Sequence, residues 1–504
     1  MLRVVSALSA GLVATPVAGL LAPSSAAAAT FDEVDALARE RSQMPHQPQP
    51  TPAQKWVTGL SYEQAVDITY RPDRGVKLPG GPFEARFFHL AHVQRYPVRM
   101  HVSKGEGYKR LEYDESLFEF GKTPKPPEGA EMDFAGFRLL YPLNHPYRMD
   151  ELLVFQGASY FRALAKGQWY GLSHRGIAID TALPGEQEEF PAFVEMWVGP
   201  ADEGSVQVFA LLDGPSVTGA YSFHFYPGKI TRADVRARIY LRKEVAQLGI
   251  APLTSMFLHG DAQPSPADDY RPEVHDSDTL VMQYPSGERV ARPLRNPLQT
   301  TVSTFVAPEG LSGYGLVQRD RDFDHYQELE TKLERRPSTW VTPVEGFGSG
   351  RIQLIEIATR LDSDDNISML FQPDNIPPPG EPMDFSYAIE WRDQAPPVEG
   401  LAEVVGTRHD GRGQRNRYIV DFSPPTKDGE KRARADLGID ASVSEGGNVA
   451  STILVEHPKN NAWRAIIDVV TPVDHDVEVR AHLVAGGKRV SEVWNYRTLT
   501  ESRS

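Results

Sequence analysis

The chain has 504 residues, more than one hydrophobic core usually serves, so a single small module is excluded. Its 53 Lys and Arg against 68 Asp and Glu give a formal net charge of -15, which disfavours binding to the phosphate backbone of a nucleic acid. Hydrophobic residues make up 40% of the chain, enough for a folded protein, and the absence of cysteine excludes disulfides, thiol catalysis and cysteine-based zinc sites.

The first thirty residues have the three-part layout of an export signal. Arg3 precedes an apolar stretch from Val4 to Leu21, and small residues follow from Ser24 to Ala29. Pro16 interrupts the apolar stretch, which argues against a transmembrane anchor. We therefore predict a signal peptide over residues 1–29 and a mature protein that begins near Thr30.

After this leader the sequence predicts one short helix and then strands. Thr30 and Glu33 have the spacing of a capping box, which is typical of a helix start. From about Leu60 onward, alternating apolar residues are separated by clusters of Pro, Gly and Asn, and a short helical turn is expected near Glu244–Leu248. With 41 Pro and 41 Gly in the chain, long helices are disfavoured, and an all-β fold is predicted.

Two segments show the strand pattern most clearly. Simple alternation over Ala192–Val198 predicts that three residues share one face, namely Phe193, Glu195 and Trp197. In the same way, alternation over Ala220–Tyr226 predicts a second shared face, formed by Tyr221, Phe223 and Phe225.

Two Pro-rich stretches, Asp374–Gly380 and Gln394–Gly400, bracket a predicted strand, Met383–Trp391. We place a domain boundary at the second stretch, so that residues 30–395 form a large β domain. Residues 396–504, about a hundred residues with regular strand spacing, are typical of an immunoglobulin-like sandwich without its disulfide.

The common nucleotide-binding and hydrolase motifs are absent. The chain contains no GxxxxGK(S/T) phosphate loop, no GxGxxG at a helix start, no GxSxG elbow and no HExxH helix. What remains is a set of three segments dense in carboxylates: Tyr270–Asp278, Arg319–Asp324 and Leu361–Asn366.

Two of these segments imitate the opening of a calcium loop, because Asp320, Asp322 and Asp324 stand at alternate positions in one, and Asp362, Asp364 and Asn366 in the other. The loop requires Gly at its sixth position and a bidentate Glu at its twelfth. At those positions the first segment has His325 and Thr331, and the second has Ile367 and Pro373. The sequence therefore predicts neither a metal site nor a cofactor.

Paired carboxylates are what glycoside chemistry requires, since one protonated group gives its proton to the leaving oxygen and a second group activates the attacking water. The alternative is that each acidic cluster is a solvated turn, which the intrinsic preferences of Asp, Asn and Pro favour for any single cluster. Aromatic residues near the clusters could provide flat faces for sugar rings, or could be core residues: Trp169, Tyr170, Tyr314, Trp340 and Trp391.

Six stretches, read in order, resemble words of one known family. They are GASYFR at 157–162, YGLSHRGIAIDTALPGEQEEFP at 170–191, LTSMFLHG at 253–260, YRPEVHDSD at 270–278, RRPSTWV at 335–341 and DDNI at 364–367. On these words the chain resembles the osmoregulated periplasmic glucan biosynthesis proteins, the OpgG/OpgD (MdoG) family, from about residue 30 to its C-terminus.

The resemblance implies a large N-terminal β-sandwich with a long cleft, a small immunoglobulin-like domain and a periplasmic location. It also implies action on the β-1,2-linked glucose backbone of periplasmic glucans, by anomer-inverting cleavage or transglycosylation. Carried over by motif, Asp365 of the DDNI word is the general acid, and Asp276 of the YRPEVHDSD word is the base end of a water-activating relay.

Further residues are expected to contact the substrate, although a buried ion pair is an equally open interpretation for the charged ones. The predicted contacts are Arg175, Asp180, Arg271, His275, Arg319, Arg321 and Trp340. A homodimer and a membrane glucosyltransferase partner are expected from the family alone.

The chain also departs from the hydrolytic members of the family. Those members carry a Tyr just before the RPSxW word and a Glu three residues before the acid, whereas this chain has Leu333 and Asp362. Because both positions could belong to the proton route from water, the departures favour transglycosylation over hydrolysis. A non-catalytic glucan-binding scaffold, which guides elongation or export of the backbone, remains the alternative function.

Overall fold

The computed structural model describes residues 30–498 apart from 106, 266–267, 413, 428–429, 432–433, 459–461 and 473–475. The signal peptide predicted over residues 1–29 lies outside the described residues. No helix in the described part of the chain is both long enough and apolar enough to cross a membrane.

The predicted N-terminal helix is confirmed and spans Phe31–Ser42. Its capping box is formed, because the Glu33 backbone amide donates to the Thr30 hydroxyl (3.3 Å) while the Thr30 amide donates to the Glu33 carboxylate (2.7 Å). The buried side of the helix packs on the outer face of a sheet through Phe31, Val34 and Ala38.

The remaining helical elements of the described chain are short. They are the α-helices Gln54–Gly59, Tyr62–Asp67 and Phe323–Tyr326 and the 3-10 turns Pro72–Arg74, Glu115–Leu117, Leu333–Arg335 and Arg434–Asp436. The expected helical turn near Glu244–Leu248 is wrong: the chain bends there and enters the strand Leu248–Ser255.

Two large sheets form the main sandwich, and the all-β prediction is confirmed. The first sheet has 11 strands in the described chain, in the order Val76–Lys77, Glu84–His89, Phe134–His145, Arg148–Gln156, Tyr160–Ala163, Ser173–Arg175, Leu248–Ser255, Ile367–Pro373, Gly350–Glu356 and Thr301–Ala307, with Ile177–Ile179 also paired to Leu248–Ser255.

The second sheet has 15 strands in the same part of the chain. Their order is Leu437–Val443, Glu478–Ala485, Val493–Arg497, Arg289–Pro293, Thr279–Gln283, Gly313–Val317, Ser338–Glu345, Pro382–Arg392, Thr231–Leu241, Val217–Tyr226, Val206–Asp213, Ala192–Ala201, Arg99–Ser103 and Tyr108–Arg110, with Lys488–Arg489 beside Glu478–Ala485.

A four-stranded sheet from the C-terminal part of the chain packs against the C-terminal strands of the 15-stranded sheet, Leu437–Val443, Glu478–Ala485 and Val493–Arg497. Its strands, in order, are Val404–Arg412, Arg415–Phe422, Trp463–Val470 and Asn448–Glu456. Three two-stranded ribbons complete the described strands: Thr69–Tyr70 with Phe118–Glu119, Phe257–His259 with Val274–His275, and Thr426–Lys427 with Glu430–Lys431.

The main hydrophobic core lies between the two large sheets. Tyr221, Phe223 and Phe225 are fully buried in it, so the shared face predicted for them is confirmed. The predicted face of Ala192–Val198 is wrong. A β-bulge between Phe193 and Glu195 shifts the alternation, because two residues there oppose one on the neighbouring strand. As a result, Phe193, Met196 and Val198 point into the main core, whereas Val194 and Trp197 pack beneath the N-terminal helix.

A second core fills the small C-terminal sandwich. Trp463 and Tyr418 from the four-stranded sheet pack there with Trp494 and Leu483 from the opposing strands. The strand Arg289–Pro293 pairs in parallel with Val493–Arg497, so the 15-stranded sheet runs through both sandwiches. Since this sheet crosses the proposed boundary, the division into domains 30–395 and 396–504 stays a prediction.

Candidate active site

Three cavities are linked through shared or adjacent wall residues. The central cavity, of about 720 Å³, is lined by residues that include Tyr160, Arg162 and Asp365. A side cavity of about 660 Å³ shares three wall residues with it, namely Arg95, Tyr96 and Phe190.

A third, large cavity of about 1560 Å³ lies beyond the loop that carries the predicted acid. Asp364 lines the large cavity, and its neighbour Asp365 lines the central one. We call these three cavities together the cleft, and the neighbouring residues Asp364 and Asp365 stand between its large and central parts.

Asn366 fixes the loop that presents Asp365. Its side-chain amide donates to the backbone oxygens of Phe257 (2.9 Å) and Ile357 (3.0 Å), and its side-chain oxygen accepts from the Phe257 amide (2.8 Å). Asn366 is buried at the start of the strand Ile367–Pro373, so these three bonds tie the loop to a rigid sheet edge. The conformation of the acid loop thus depends on the residue immediately after Asp365.

The surroundings of Asp365 suit a group that holds a proton near neutral pH. The residue is exposed to the cleft, but the protein around its carboxyl desolvates the charged form and raises its pKa to about 6. The neighbouring carboxylate of Asp276 raises the pKa further, while the guanidinium groups of Arg162 and Arg336 oppose the increase. A carboxyl group with this pKa can serve as a general acid in mildly acidic to neutral solution.

Asp276 lies at the end of the short strand Val274–His275 and is buried. Its backbone amide donates to the Met256 oxygen (2.9 Å), and its Oδ1 lies 3.4 Å from Nε of Arg336. Burial raises the pKa of Asp276, and the positive charges of Arg336, His275 and Arg162 oppose this increase. Because the charge of Asp276 acts on the pKa of Asp365, the two predicted catalytic carboxyls lie within electrostatic reach of each other.

His275 supports Asp276 from the protein interior. Its ring is fully buried between Gln318 Oε1 (2.7 Å from Nδ1) and Glu273 Oε2 (2.7 Å from Nε2), and it stacks on Phe257. Although burial alone would lower its pKa, the bond to Glu273 and the nearby carboxylates raise it to about 9. His275 is therefore an imidazolium at neutral pH, and the structure places it in a buried ion pair, outside the walls of the three cavities described above.

Two arginines that the sequence analysis did not single out lie at the two carboxyls. Arg162 lines the central cavity, and Arg336 forms the ion pair with Asp276. Both stand in the matched words, as the last residue of GASYFR and the second of RRPSTWV. Their positive charge beside a proposed carboxylate pair was the available signal.

The predicted substrate contacts divide into two groups. Asp180 lines the side cavity and Arg271 lines the large one, so both face the cleft. Arg175 is buried behind the wall: it pairs with Glu188 (2.7 Å) and stacks on Phe190, whose ring lines both the central and side cavities.

The other predicted contacts lie in supporting structure. Arg319 forms a buried ion pair with Glu492 (2.8 Å), and Arg321 donates to the backbone oxygens of Asp393 and Arg336. Trp340 packs in a small buried cluster with Val281, Val317 and Ala395. None of the three is among the described residues that line the cleft cavities.

The two positions that depart from hydrolytic relatives now have defined surroundings. Leu333 is buried in an apolar cluster with Met256, Val274 and Tyr326, directly behind the backbone of Asp276. Asp362 is exposed and accepts a bond from Arg271 Nη1 (2.7 Å), which links two of the carboxylate-rich segments. Leu333 thus places an apolar side chain beside the strand that leads to Asp276.

One group of described residues could offer metal ligands. Ligand atoms of Glu273, Asp320 and His325 lie within 4.8 Å of one another. Each carboxylate is already bonded to an imidazole, Glu273 to His275 (2.7 Å) and Asp320 to His325 (2.5 Å). These pairs balance the charge of the group without an ion.

Comparisons with known proteins agree with the resemblance seen in the sequence. The family model described as "Periplasmic glucan biosynthesis protein, MdoG" matches residues 30–498. The chain is also 38% identical, over 504 aligned residues, to Glucans biosynthesis protein G of Ralstonia nicotianae, and the alignment covers 95% of this chain and 98% of that one.

Proposed function

Since the chain belongs to the MdoG family of periplasmic glucan biosynthesis proteins, we propose that it is a periplasmic enzyme that cleaves or rearranges the β-1,2-glucan backbone. Asp365 acts as the general acid and Asp276 as the base, in an anomer-inverting reaction without a cofactor. The observation that carries the proposal is the position of Asp365 in the wall of the central cavity, with its pKa raised to about 6 and a second, buried carboxyl nearby.

The proposed chemistry uses the different surroundings of the two groups. Protonated Asp365 gives its proton to the glycosidic oxygen as the bond from that oxygen to the anomeric carbon breaks. On the opposite face of the sugar, a hydroxyl oxygen attacks the anomeric carbon, and its proton passes to Asp276 directly or through intervening hydroxyls. Arg336, 3.4 Å from Asp276, favours the ionised form that a base requires.

The attacking hydroxyl belongs to water in hydrolysis and to a sugar in transglycosylation. The apolar cluster of Leu333, Met256, Val274 and Tyr326 lies behind Asp276, which disfavours a chain of ordered water molecules at that point. This observation supports transfer to a sugar hydroxyl as the main reaction.

The test is incubation of the purified protein with linear β-1,2-glucan, with reducing ends and product masses followed together. Asp365→Asn is expected to reduce turnover by about 10²-fold or more, because an amide cannot give the proton. Asp374→Asn is the matched control, since it makes the same change in an exposed residue at the other end of the same strand, outside the three cavities. Wild-type turnover in Asp365→Asn would refute the assignment of the acid.

The products separate the candidate functions. New reducing ends that are lost in Asp365→Asn indicate hydrolysis. Altered product masses without new reducing ends indicate transglycosylation or ring closure. Glucan binding without either change would contradict the enzyme and favour the scaffold, for which the size of the cleft is the supporting observation.

A further inference from the structure

We propose that Arg162 and Arg336 form a cationic bracket around the carboxyl pair, that Tyr170 and Gly171 hold these arginines in place, and that the bracket sets the pH range in which the pair works. The inference rests on the proposed function, because it concerns the pKa values of the acid and the base of that site. It concerns four residues to which neither the family motifs nor the predicted contacts give a role.

The side chain of Arg336 is held in place by the backbone of Gly171, which lies close to it. Nε of Arg336 lies 3.4 Å from Oδ1 of Asp276, and both atoms are buried. Gly171 leaves the space for this side chain: a Cβ added at that position would lie 3.0 Å from Cδ and 3.1 Å from Cβ of Arg336. The Arg336 backbone is fixed in turn, because its oxygen accepts a bond from Arg321 Nη1 (2.8 Å). Any residue larger than glycine at 171 would therefore push the Arg336 side chain.

Arg162 is held by an aromatic ring. Its guanidinium carbon lies 4.7 Å from the ring centre of Tyr170, and its side chain lines the central cavity beside Asp365. The Tyr170 hydroxyl donates to the Glu151 backbone oxygen (3.2 Å), which fixes the ring on the strand Arg148–Gln156. Among the described residues no carboxylate forms an ion pair with Arg162, so its charge is available to the site.

The two arginines are held by consecutive residues of the loop between Tyr160–Ala163 and Ser173–Arg175. One loop thus fixes both positive charges relative to the carboxyls. The distance between the bracket and the pair depends on this loop and on the short turn Leu333–Arg335 that precedes Arg336.

The charges that face Asp365 come from four groups. Asp276 and Asp364 disfavour its ionisation, and Arg162 and Arg336 favour it, while desolvation is larger than any one of these four effects. Without the two arginines, the acid would bind its proton more tightly.

Three positive charges face Asp276, those of Arg336, His275 and Arg162, and the carboxyl of Asp365 faces it as well. His275 carries a proton up to a pH of about 9, and the arginines stay charged throughout. The negative charge of Asp276 is therefore balanced by positive charges across the working pH range. During the reaction Asp365 loses a proton and Asp276 gains one, so the net charge inside the bracket does not change. The bracket can therefore remain fixed while the proton moves.

The experiment compares Arg162→Met and Arg336→Met with Arg162→Lys and Arg336→Lys. Removal of a cation within about 4–6 Å raises a carboxyl pKa by about one to three pH units. Arg336→Met, which removes the cation 3.4 Å from Asp276, should therefore move the limb of the kcat/KM pH profile that reports Asp276 upward by about one unit or more, and Arg162→Met should move both limbs in the same direction. The lysine variants, which keep the charge, should restore the limbs toward their wild-type positions even where the rate stays low. Arg236→Met is the control, since Arg236 also stacks on a ring (Phe31, 4.0 Å) but beneath the N-terminal helix.

A second readout needs no activity. Carboxyl carbon signals of protein labelled with ¹³C at aspartate report the titration of Asp365 and Asp276 directly, with Asp365→Asn and Asp276→Asn as assignment controls. Upward titration shifts in the methionine variants, together with an inactive wild type, would support the bracket and contradict the proposed function. Unshifted titrations in both methionine variants would overturn the bracket, whatever the activity.

The loop that holds the arginines is tested in the same way. Gly171→Ala is expected to displace Arg336 and to shift the titration of Asp276 more than that of Asp365. Tyr170→Leu, which removes the ring, should affect Asp365 more strongly, whereas Tyr170→Phe, which keeps the ring but loses its bond to Glu151, should have a smaller effect. Equal titrations in wild type, Gly171→Ala and Tyr170→Leu would refute the role of the loop.

Discussion

Replacement of Asn366 by Ala should lower the stability of the protein, because the Asn366 side chain fixes the loop that carries Asp365. The change removes three hydrogen bonds to backbone groups, two at Phe257 and one at Ile357, from a buried side chain. At about 1 kcal/mol net for each bond, the free energy of unfolding should fall by about 3 kcal/mol. The loss would be larger if water cannot reach the backbone groups that remain, because an unsatisfied buried group costs about 1–3 kcal/mol.

The assay is urea unfolding followed by tryptophan fluorescence and by far-ultraviolet circular dichroism. Agreement between the two probes is needed because a chain with two cores can unfold in steps. Asn448→Ala removes the same atoms from an exposed position and serves as the control, with an expected change within about 0.5 kcal/mol.

The activity of the variant should fall as well. It is measured at a temperature at which the variant is still folded. Because Asn366 positions its neighbour Asp365 and does not line the cleft cavities, kcat should decrease more than KM increases. A loss of stability below about 1 kcal/mol, or an unchanged kcat in the folded variant, would refute the reasoning that these bonds fix the acid loop.

Two further predictions follow from buried charges. The pKa of His275 is about 9 in the folded protein and roughly 6.5 when unfolded, so its contribution to stability is complete below pH 6.5 and is lost as the pH rises toward 9. Melting temperatures measured from pH 6.5 to 9.5 should therefore fall, and an equally steep fall in His275→Gln would contradict this assignment. Glu492→Gln leaves Arg289 (2.9 Å) and Arg319 (2.8 Å) without their shared buried counter-charge. The free energy of unfolding, measured with urea, should fall by about 3–5 kcal/mol. A fall of less than about 1 kcal/mol would show that other groups compensate the two charges.

The sequence predicts the fold class well because its strand signals are local. Alternation over Ala220–Tyr226 and the capping box at Thr30 depend only on neighbouring residues, and both are confirmed. The face of Ala192–Val198 was predicted wrongly because a β-bulge depends on the partner strand, which a single segment does not reveal.

The candidate site was predicted less completely for a related reason. Charge and motif membership point equally to Arg271, which faces the cleft, and to Arg319, which is buried against Glu492. The direction of a side chain relative to a cavity depends on contacts between segments far apart in sequence. Arg162 and Arg336 were missed for the same reason. Their importance depends on their distance from the carboxyls of Asp276 and Asp365, which lie in other segments of the chain.

The parallel pairing of Val290 with Val493 joins residues about 200 positions apart. A ribosome delivers the chain from its N-terminus, so Arg289–Pro293 is made long before its neighbour Val493–Arg497 exists. Until then one long side of that strand has free amide and carbonyl groups, which is the kind of surface that recruits strands from other molecules. Nascent chains of this protein consequently need either rapid completion or a chaperone that binds the exposed strand edge. Deletions that remove the final strand should yield aggregates rather than a truncated, folded protein.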